Sequence, residues 1–261
     1  MAEESAGWIL SITNSSEEIA EKTRNIYRQM LEGDPHVAAG NFNSISSAFL
    51  PRLFKLYDAL FFAGKLEQLI DRSNVKNFIL RFSKRLLKAG GVTKCRKHDL
   101  GEPNPPELEF SIFISAPLLF QTFQDVERTI VVNGLTCHDR LEALQRVFEH
   151  ELVHLAEFLV WGQSSCKQPR FRKIAQNVFG HTAVTHQLVT QTERAREVFA
   201  VKIGDWVSFE FEGESRTGVI NHIAKRATVL VENDSGALYS NGKKYLKYYI
   251  PLSFLQKVEK R

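Results

Sequence analysis

The chain has 261 residues, of which 43% are hydrophobic and 25% are charged, an ordinary composition for one large or two modest globular domains. Its formal charge of +4 permits a nucleic-acid or other polyanionic partner without requiring one, because the basic residues are scattered. Three cysteines are too few for a disulfide-stapled secreted domain, no secretory signal is visible, and no apolar run could span a bilayer. We therefore expect an intracellular protein, cytoplasmic or nuclear, with no membrane partner, and we expect a monomer.

The first half of the chain is predicted to contain helices followed by strands. Ser15 and Glu18 have the spacing of a capping box, which predicts a helix from there to about Leu31. An aromatic helical pattern, three strands and a Pro-rich loop follow. The helical pattern covers 48–70 and is expected to break at Gly64. The strands are predicted at 77–82, 92–96 and 109–115, with the loop at 101–106, and the second strand is expected to pair back on the first.

The segment 146–157 contains His-Glu-x-x-His within an apolar sequence, in a helix predicted over about 139–160. Residues four apart share one face of a helix, so His150 and His154 can direct two imidazoles at a single point. Glu151 lies one residue along, close enough to hold a water on a metal placed there. This is the pattern of a zinc hydrolase with the carboxylate as general base.

After Arg146 the predicted helix is apolar on nearly every side, which indicates that this half is buried. Burying two imidazoles and a carboxylate without partners costs several kcal/mol. A metal ion and its bound water would supply those partners. The context of the motif therefore favours a metal site over a chance match.

A catalytic zinc site normally has three protein ligands and a water, and the sequence offers three candidates for the third ligand. Cys166 lies in the turn predicted after the motif helix, although a free cysteine is commonly a plain small hydrophobe. His181 follows the next predicted helix, 169–180, and His186 could be a ligand or the hydrogen-bond partner of one. The residues alone leave the choice open.

From Val201 the sequence changes to short alternating segments separated by turn residues, after a last polar helix near 192–199. Several short strands in about sixty residues favour a small barrel, and Gly204-Asp205-x-Val207 resembles the opening of SH3-like or KOW-type barrels. Basic residues interleaved with tyrosines could meet nucleic acid by phosphate contact and stacking. The strands are predicted at 201–211, 217–223, 227–232 and 245–250. The candidate nucleic-acid contacts are the basic residues Lys225, Arg226, Lys243, Lys244 and Lys247 and the tyrosines Tyr239, Tyr245, Tyr248 and Tyr249.

Three stretches together resemble the SprT-like (Spartan-related) metalloproteases. Tyr57-Asp58-Ala59-Leu60-Phe61-Phe62 is similar to an early element of that family, 82–91 to its strand and glycine turn, and 149–155 to its motif core. The resemblance implies zinc held by His150 and His154, with Glu151 as base. The family usually takes its third ligand from His-Gly-x-x-Phe/Trp, and here that position reads Lys167, with Cys166 adjacent.

These patterns and the resemblance together predict an α+β protein. We expect an N-terminal helical extension at 1–47, a mainly helical zincin-like SprT domain with a small sheet at 48–199, and an all-β SH3-like barrel at 200–261. The predicted function is a zinc metallopeptidase acting on a protein substrate, with DNA-associated or DNA-crosslinked proteins implied by the resemblance. The predicted ligands are His150, His154 and Cys166, with His181 as the alternative third ligand. The alternative function is an inactive zinc-binding adaptor whose barrel docks nucleic acid or protein.

Overall fold

The computed structural model describes residues 2–34, 36–101 and 105–259. The Pro-rich loop predicted at 101–106 falls largely on residues 102–104, which lie outside the described residues. Within the described part the protein has mixed α+β structure, as predicted. The helices are α1 (Ala2–Ser11), α2 (Ser16–Gly33), α3 (Phe49–Phe62), α4 (Lys65–Arg72), α5 (Ala116–Gln121), α6 (Arg140–Trp161), α7 (Pro169–Phe179) and α8 (Gln191–Phe199).

The strands form three sheets within the described residues. The first sheet contains β1 (Val75–Ser83), β2 (Gly91–His98) and β3 (Glu107–Ser115), and a short hairpin joins β4 (Ile130–Val132) to β5 (Leu135–Cys137). The third sheet contains β6 (Trp206–Phe211), β7 (Glu214–Ile223), β8 (Ala227–Leu238), β9 (Lys244–Ile250) and β10 (Gln256–Lys257). A single 3-10 turn, Leu252–Phe254, lies between β9 and β10.

Two compact units divide the chain. The first comprises residues 1–123 and 128–188, and the second comprises 124–127 and 189–261. The N-terminal helices α1 and α2 pack on α6 and α3 within the first unit, so they join its core. Helix α8 packs on β7 in the second unit, and its Ala195 is buried in the core of that unit. The predicted boundary at 199/200 would instead leave α8 with the first unit.

The helix boundaries of the first unit follow local chemistry. Helix α2 begins after Ser15, whose hydroxyl accepts from the backbone of Glu18 while the Glu18 carboxylate accepts from the backbone of Ser15, as the capping box predicted. Helices α3 and α4 are separated where Ala63 and Gly64 adopt left-handed φ values of 52° and 73°. The break expected at Gly64 is confirmed.

The first sheet has the order β1-β3-β2, which corrects the expected pairing of the second strand with the first. β3 lies in the middle, parallel to β1 and antiparallel to β2. Its Phe110, Ile112 and Ile114 are buried, whereas β2 carries several exposed polar residues. The most apolar strand takes the centre because that position removes most surface from water, so β2 lies at an edge, against α6.

The sheet of the second unit is open rather than closed. Its order is β10-β6-β7-β8-β9, and no pairing joins the two end strands in the described residues. One face covers a core that includes Val207, Ile220, Val229 and Ile250. Four of these strands overlap the predicted ones, although β6 begins at Trp206 rather than at 201 and β8 continues to Leu238. β10 was not predicted, and the closed barrel is not seen.

No helix within the described residues is both long enough and apolar enough to cross a membrane.

Candidate metal centre

Helix α6 carries the His-Glu-x-x-His motif through the core of the first unit. It begins after Asp139, whose carboxylate accepts from the backbone N–H of Glu142, and it ends at Gly162 with a left-handed φ of 67°. Leu152 and Val153 inside the motif and Leu155 directly after it are fully buried. The predicted burial of this half of the helix is confirmed, so the polar groups of the motif need partners inside the protein.

The two histidines of the motif point at each other. The Nε2 atoms of His150 and His154 lie 3.2 Å apart. Two nitrogens at about 2.0–2.1 Å from a tetrahedral zinc would be about 3.3–3.4 Å apart. The spacing imposed by one helical turn therefore fits two ligands of a single ion.

Cys166 joins the two histidines from the connection between α6 and α7. The ligating atoms of His150, His154 and Cys166 all lie within 4.8 Å of one another. The thiol is half-buried and is not part of a disulfide. Two imidazoles and one thiol match the donor set of a three-ligand zinc site with one open position. The structure thus brings together the three residues that the sequence analysis preferred.

A hydrogen-bond chain fixes the tautomer of His154. The Ser164 hydroxyl donates to Oε2 of Glu157 over 2.6 Å, and the Ser164 hydroxyl oxygen lies 2.7 Å from Nδ1 of His154. Since the hydroxyl proton is used by the carboxylate, the serine oxygen accepts from Nδ1–H. Nε2 of His154 therefore presents a lone pair towards His150 and Cys166, as a metal ligand must.

Glu157 also anchors the connection that carries Cys166. Its carboxylate is fully buried and accepts from Nε of Arg170 over 2.6 Å and from the backbone of Ser165 over 3.3 Å. The Arg170 guanidinium in turn lies 3.9 Å from the ring centroid of Trp161. A buried charged pair with these extra donors holds the start of α7 against the end of α6.

Both imidazoles are kept neutral by their surroundings. Burial lowers the pKa of His150 to about 3 and that of His154 to about 4. The ring of Phe171 packs against both, with centroids 4.8 Å and 4.5 Å away. Nδ1 of His150 is buried and has no hydrogen-bond partner in the described residues. Neutral imidazoles are the form that binds metal, so the residues present fit a zinc ion.

Glu151, the residue after His150, is held by the edge strand β2. The carboxyl is buried, Thr93 donates to its Oε2 over 2.7 Å, and burial raises its pKa to about 7. A Cβ added to Gly91 would lie only 2.6 Å from Oε1 of Glu151, so a larger residue here would displace the carboxyl or the strand. A carboxyl with a pKa near neutrality is suited to take up and release a proton.

His181, the alternative ligand, belongs to a different network. Its Nε2 lies 2.8 Å from Oε2 of Glu149, which also accepts from Arg146 over 2.9 Å and from Tyr57 over 2.8 Å. Burial alone would raise the pKa of the Glu149 carboxyl, but Arg146, His181 and Tyr57 outweigh it and hold that pKa below its usual range. His181 is thus committed to Glu149, and the geometry favours Cys166 as the third ligand.

His186, the remaining candidate, supports the start of β2. Its Nε2 accepts from the backbone N–H of Gly90 over 2.8 Å. The residue also forms an isolated bridge with Val132 of β4. His186 therefore joins the segment after α7 to the glycine turn that precedes Gly91.

Sequence reasoning did not identify the residues that support the ligands. Glu157 follows His154 by three positions and so shares a helix face with it, and this spacing in the sequence could have identified it. Thr93 and Ser164 gave no local signal, because their partners lie 58 and 10 residues away.

Comparison with known proteins adds nothing: no family model, no curated protein and no solved structure matches this chain.

Proposed function

We propose that this protein is a zinc-dependent metallopeptidase of the SprT-like type, with His150, His154 and Cys166 as ligands and Glu151 as general base. The observation that carries the proposal is that the ligating atoms of two imidazoles and one thiol lie within 4.8 Å of one another. The two imidazoles belong to the helix that also carries the buried Glu151 carboxyl, and the thiol follows that helix. Zinc at this position would polarise the scissile carbonyl as a Lewis acid. The zincin-like fold is part of the same proposal.

The protein's own residues supply the proton transfers. Glu151 would accept a proton from the attacking water and return it to the leaving amine. Thr93 fixes one carboxyl oxygen by donating to it, which leaves the other oxygen for this task. That other oxygen, Oε1, faces Gly91, which has no side chain to displace it.

The edge of β2 supports a peptide as the substrate. Among the described strands β2 pairs only with β3, so its outer edge offers free backbone N–H and C=O groups. An extended peptide can add to such an edge as a further strand. Because Gly91 and Thr93 contact Glu151, a peptide lying along β2 would pass beside the proposed general base.

The experiment measures zinc content and cleavage of an unfolded protein by the full chain and by Glu151→Gln. The proposal expects one zinc per chain in both proteins and a loss of cleavage of at least about a hundredfold in the variant. Glu67→Gln, an exposed glutamate of α4, is the matched control and should cleave normally. Undiminished cleavage by Glu151→Gln would contradict the mechanism, whereas full zinc content without any cleavage by the wild type would favour the adaptor.

The substrate class implied by the SprT-like resemblance is tested in the same assay. The wild type is compared on a free protein and on the same protein crosslinked to DNA. Preferential cleavage of the crosslinked form supports that narrower proposal. Equal rates would restrict the proposal to a general peptidase.

A further inference from the structure

The second unit presents a cluster of cations around an exposed tyrosine, on the face of its sheet opposite the core. His222 of β7 pairs with Thr228 of β8, and Thr228 pairs with Tyr249 of β9, so the three residues form one row across three strands. Val229, next to Thr228, lies in the core. Since side chains alternate along a strand, the row faces away from the core.

Three further basic residues lie beside this row. Lys247 is two positions before Tyr249 and therefore projects on the same face. Lys225 and Arg226 occupy the tight turn between β7 and β8, closed by a hydrogen bond of 3.0 Å from Ala224 N to Arg226 O. We call these residues the Tyr249 face: His222, Lys225, Arg226, Lys247 and Tyr249.

The Tyr249 face is open to solvent and carries a net positive charge. Tyr249 is 61% exposed, an unusual position for a large aromatic side chain, and the other four residues are exposed as well. Within the described residues no salt bridge joins Lys225, Arg226 or Lys247 to a carboxylate. The nearest acidic residue on this face of β8, Glu232, is four residues from Thr228, or roughly 13 Å along the strand, and it is paired with Lys243.

This combination of groups suits one class of partner. Cations spaced along a surface bind a phosphodiester backbone, and an exposed ring offers a platform on which an unpaired base can stack. A duplex would bury its base faces and leave Tyr249 without a stacking partner. An acidic peptide would form ion pairs with the cations but would not stack on the tyrosine ring.

We propose that the Tyr249 face binds single-stranded nucleic acid, with Lys225, Arg226 and Lys247 on phosphates and Tyr249 stacked on a base. This surface belongs to the second unit and its role does not depend on peptidase activity. Three phosphate contacts give a salt dependence of log K on log salt concentration of about −2 for a single strand.

The test uses the full chain and the fluorescence anisotropy of a labelled oligothymidylate at several salt concentrations. Tyr249→Ala should weaken binding by about tenfold, the equivalent of one lost stacking contact. The double variant Lys225→Glu, Arg226→Glu should weaken it further and reduce the salt slope to about −0.7. Because all three positions are exposed, thermal unfolding should match the wild type.

Two matched variants separate this surface from general effects. Phe254→Ala removes another aromatic residue, 67% exposed, from the same unit, and the double variant Arg28→Glu, Lys55→Glu makes the same charge change at exposed positions of α2 and α3. Both should bind like the wild type. Absence of binding at low salt, equal binding by Tyr249→Ala, or equal competition by a duplex or by a polyglutamate peptide would each overturn the proposal.

Discussion

The hydroxyl of Ser164 lies 2.7 Å from Nδ1 of His154 and donates its own proton to Glu157. The lone pair of His154 that faces His150 and Cys166 therefore depends on a residue in the connection between α6 and α7. Partners of this kind orient a ligand and raise its basicity. The proposed site includes the helix motif and the connection that follows it.

Replacing Ser164 by alanine should weaken zinc binding by about 10- to 100-fold, because Nδ1–H of His154 would lose its acceptor. Zinc affinity measured by competition with a chelator gives the change directly. Ser165→Ala is the matched control, since among the described residues the Ser165 hydroxyl takes part in one hydrogen bond, from the backbone N–H of Lys167 at 3.4 Å. Equal affinities for the two variants would contradict the role of Ser164.

Cys166→Ala should lower zinc content well below one per chain, whereas Cys95→Ala should leave it unchanged. Both cysteines are half-buried, so the pair separates ligation from mere loss of a thiol. X-ray absorption of the wild type should show one sulfur at about 2.3 Å from zinc. A site with nitrogen and oxygen ligands only would exclude Cys166.

Thiol alkylation offers an independent check on Cys166. Zinc removal should expose this thiol to the reagent, and zinc addition should protect it. Cys137 is the internal control, because burial raises its pKa to about 12 and so suppresses the reactive thiolate at neutral pH. Equal labelling of Cys166 with and without zinc would count against ligation.

Gly91→Ala should reduce both stability and cleavage. The added methyl would lie 2.6 Å from Oε1 and 2.7 Å from Cγ of Glu151, so β2 or the carboxyl has to move. Overpacking of this kind typically costs about 1–3 kcal/mol. Gly7→Ala, in α1 with no atom within 4 Å of the new methyl, should be neutral or slightly stabilising. Denaturant unfolding and the cleavage assay measure the two effects. Wild-type stability and cleavage for Gly91→Ala would show that the Glu151 side chain can move to admit the methyl group.

Glu149→Ala should destabilise the first unit by about 3–5 kcal/mol, because Arg146 would keep a buried charge without its partner. Glu32→Ala, an exposed change on α2, should stay within about 0.5 kcal/mol of the wild type. The loss should be the same in zinc-free protein, since among the described residues no hydrogen bond joins this network to His150, His154 or Cys166. A loss seen only with zinc present would place Glu149 or His181 in the metal site instead.

Features that depend on neighbours along the chain could be predicted from the amino-acid pattern. The capping box at Ser15 and the pairing of His150 with His154 follow from spacings of three and four residues. The helix break at Gly64 follows from a single glycine. The alternation after Val201 likewise located β6, β7, β8 and β9 of the second unit to within a few residues. These were predicted correctly because local geometry alone sets them.

Features that depend on contacts between distant segments required the folded structure. Sheet order placed β3, not β1, beside β2, because burial of Phe110, Ile112 and Ile114 outweighed the short turn at Gly90-Gly91. The choice between Cys166 and His181 also required the fold, since Glu149 engages His181 from 32 residues away. Packing and buried hydrogen bonds join residues far apart in sequence, so no local pattern could have assigned Thr93 to Glu151 or Tyr57 to Glu149.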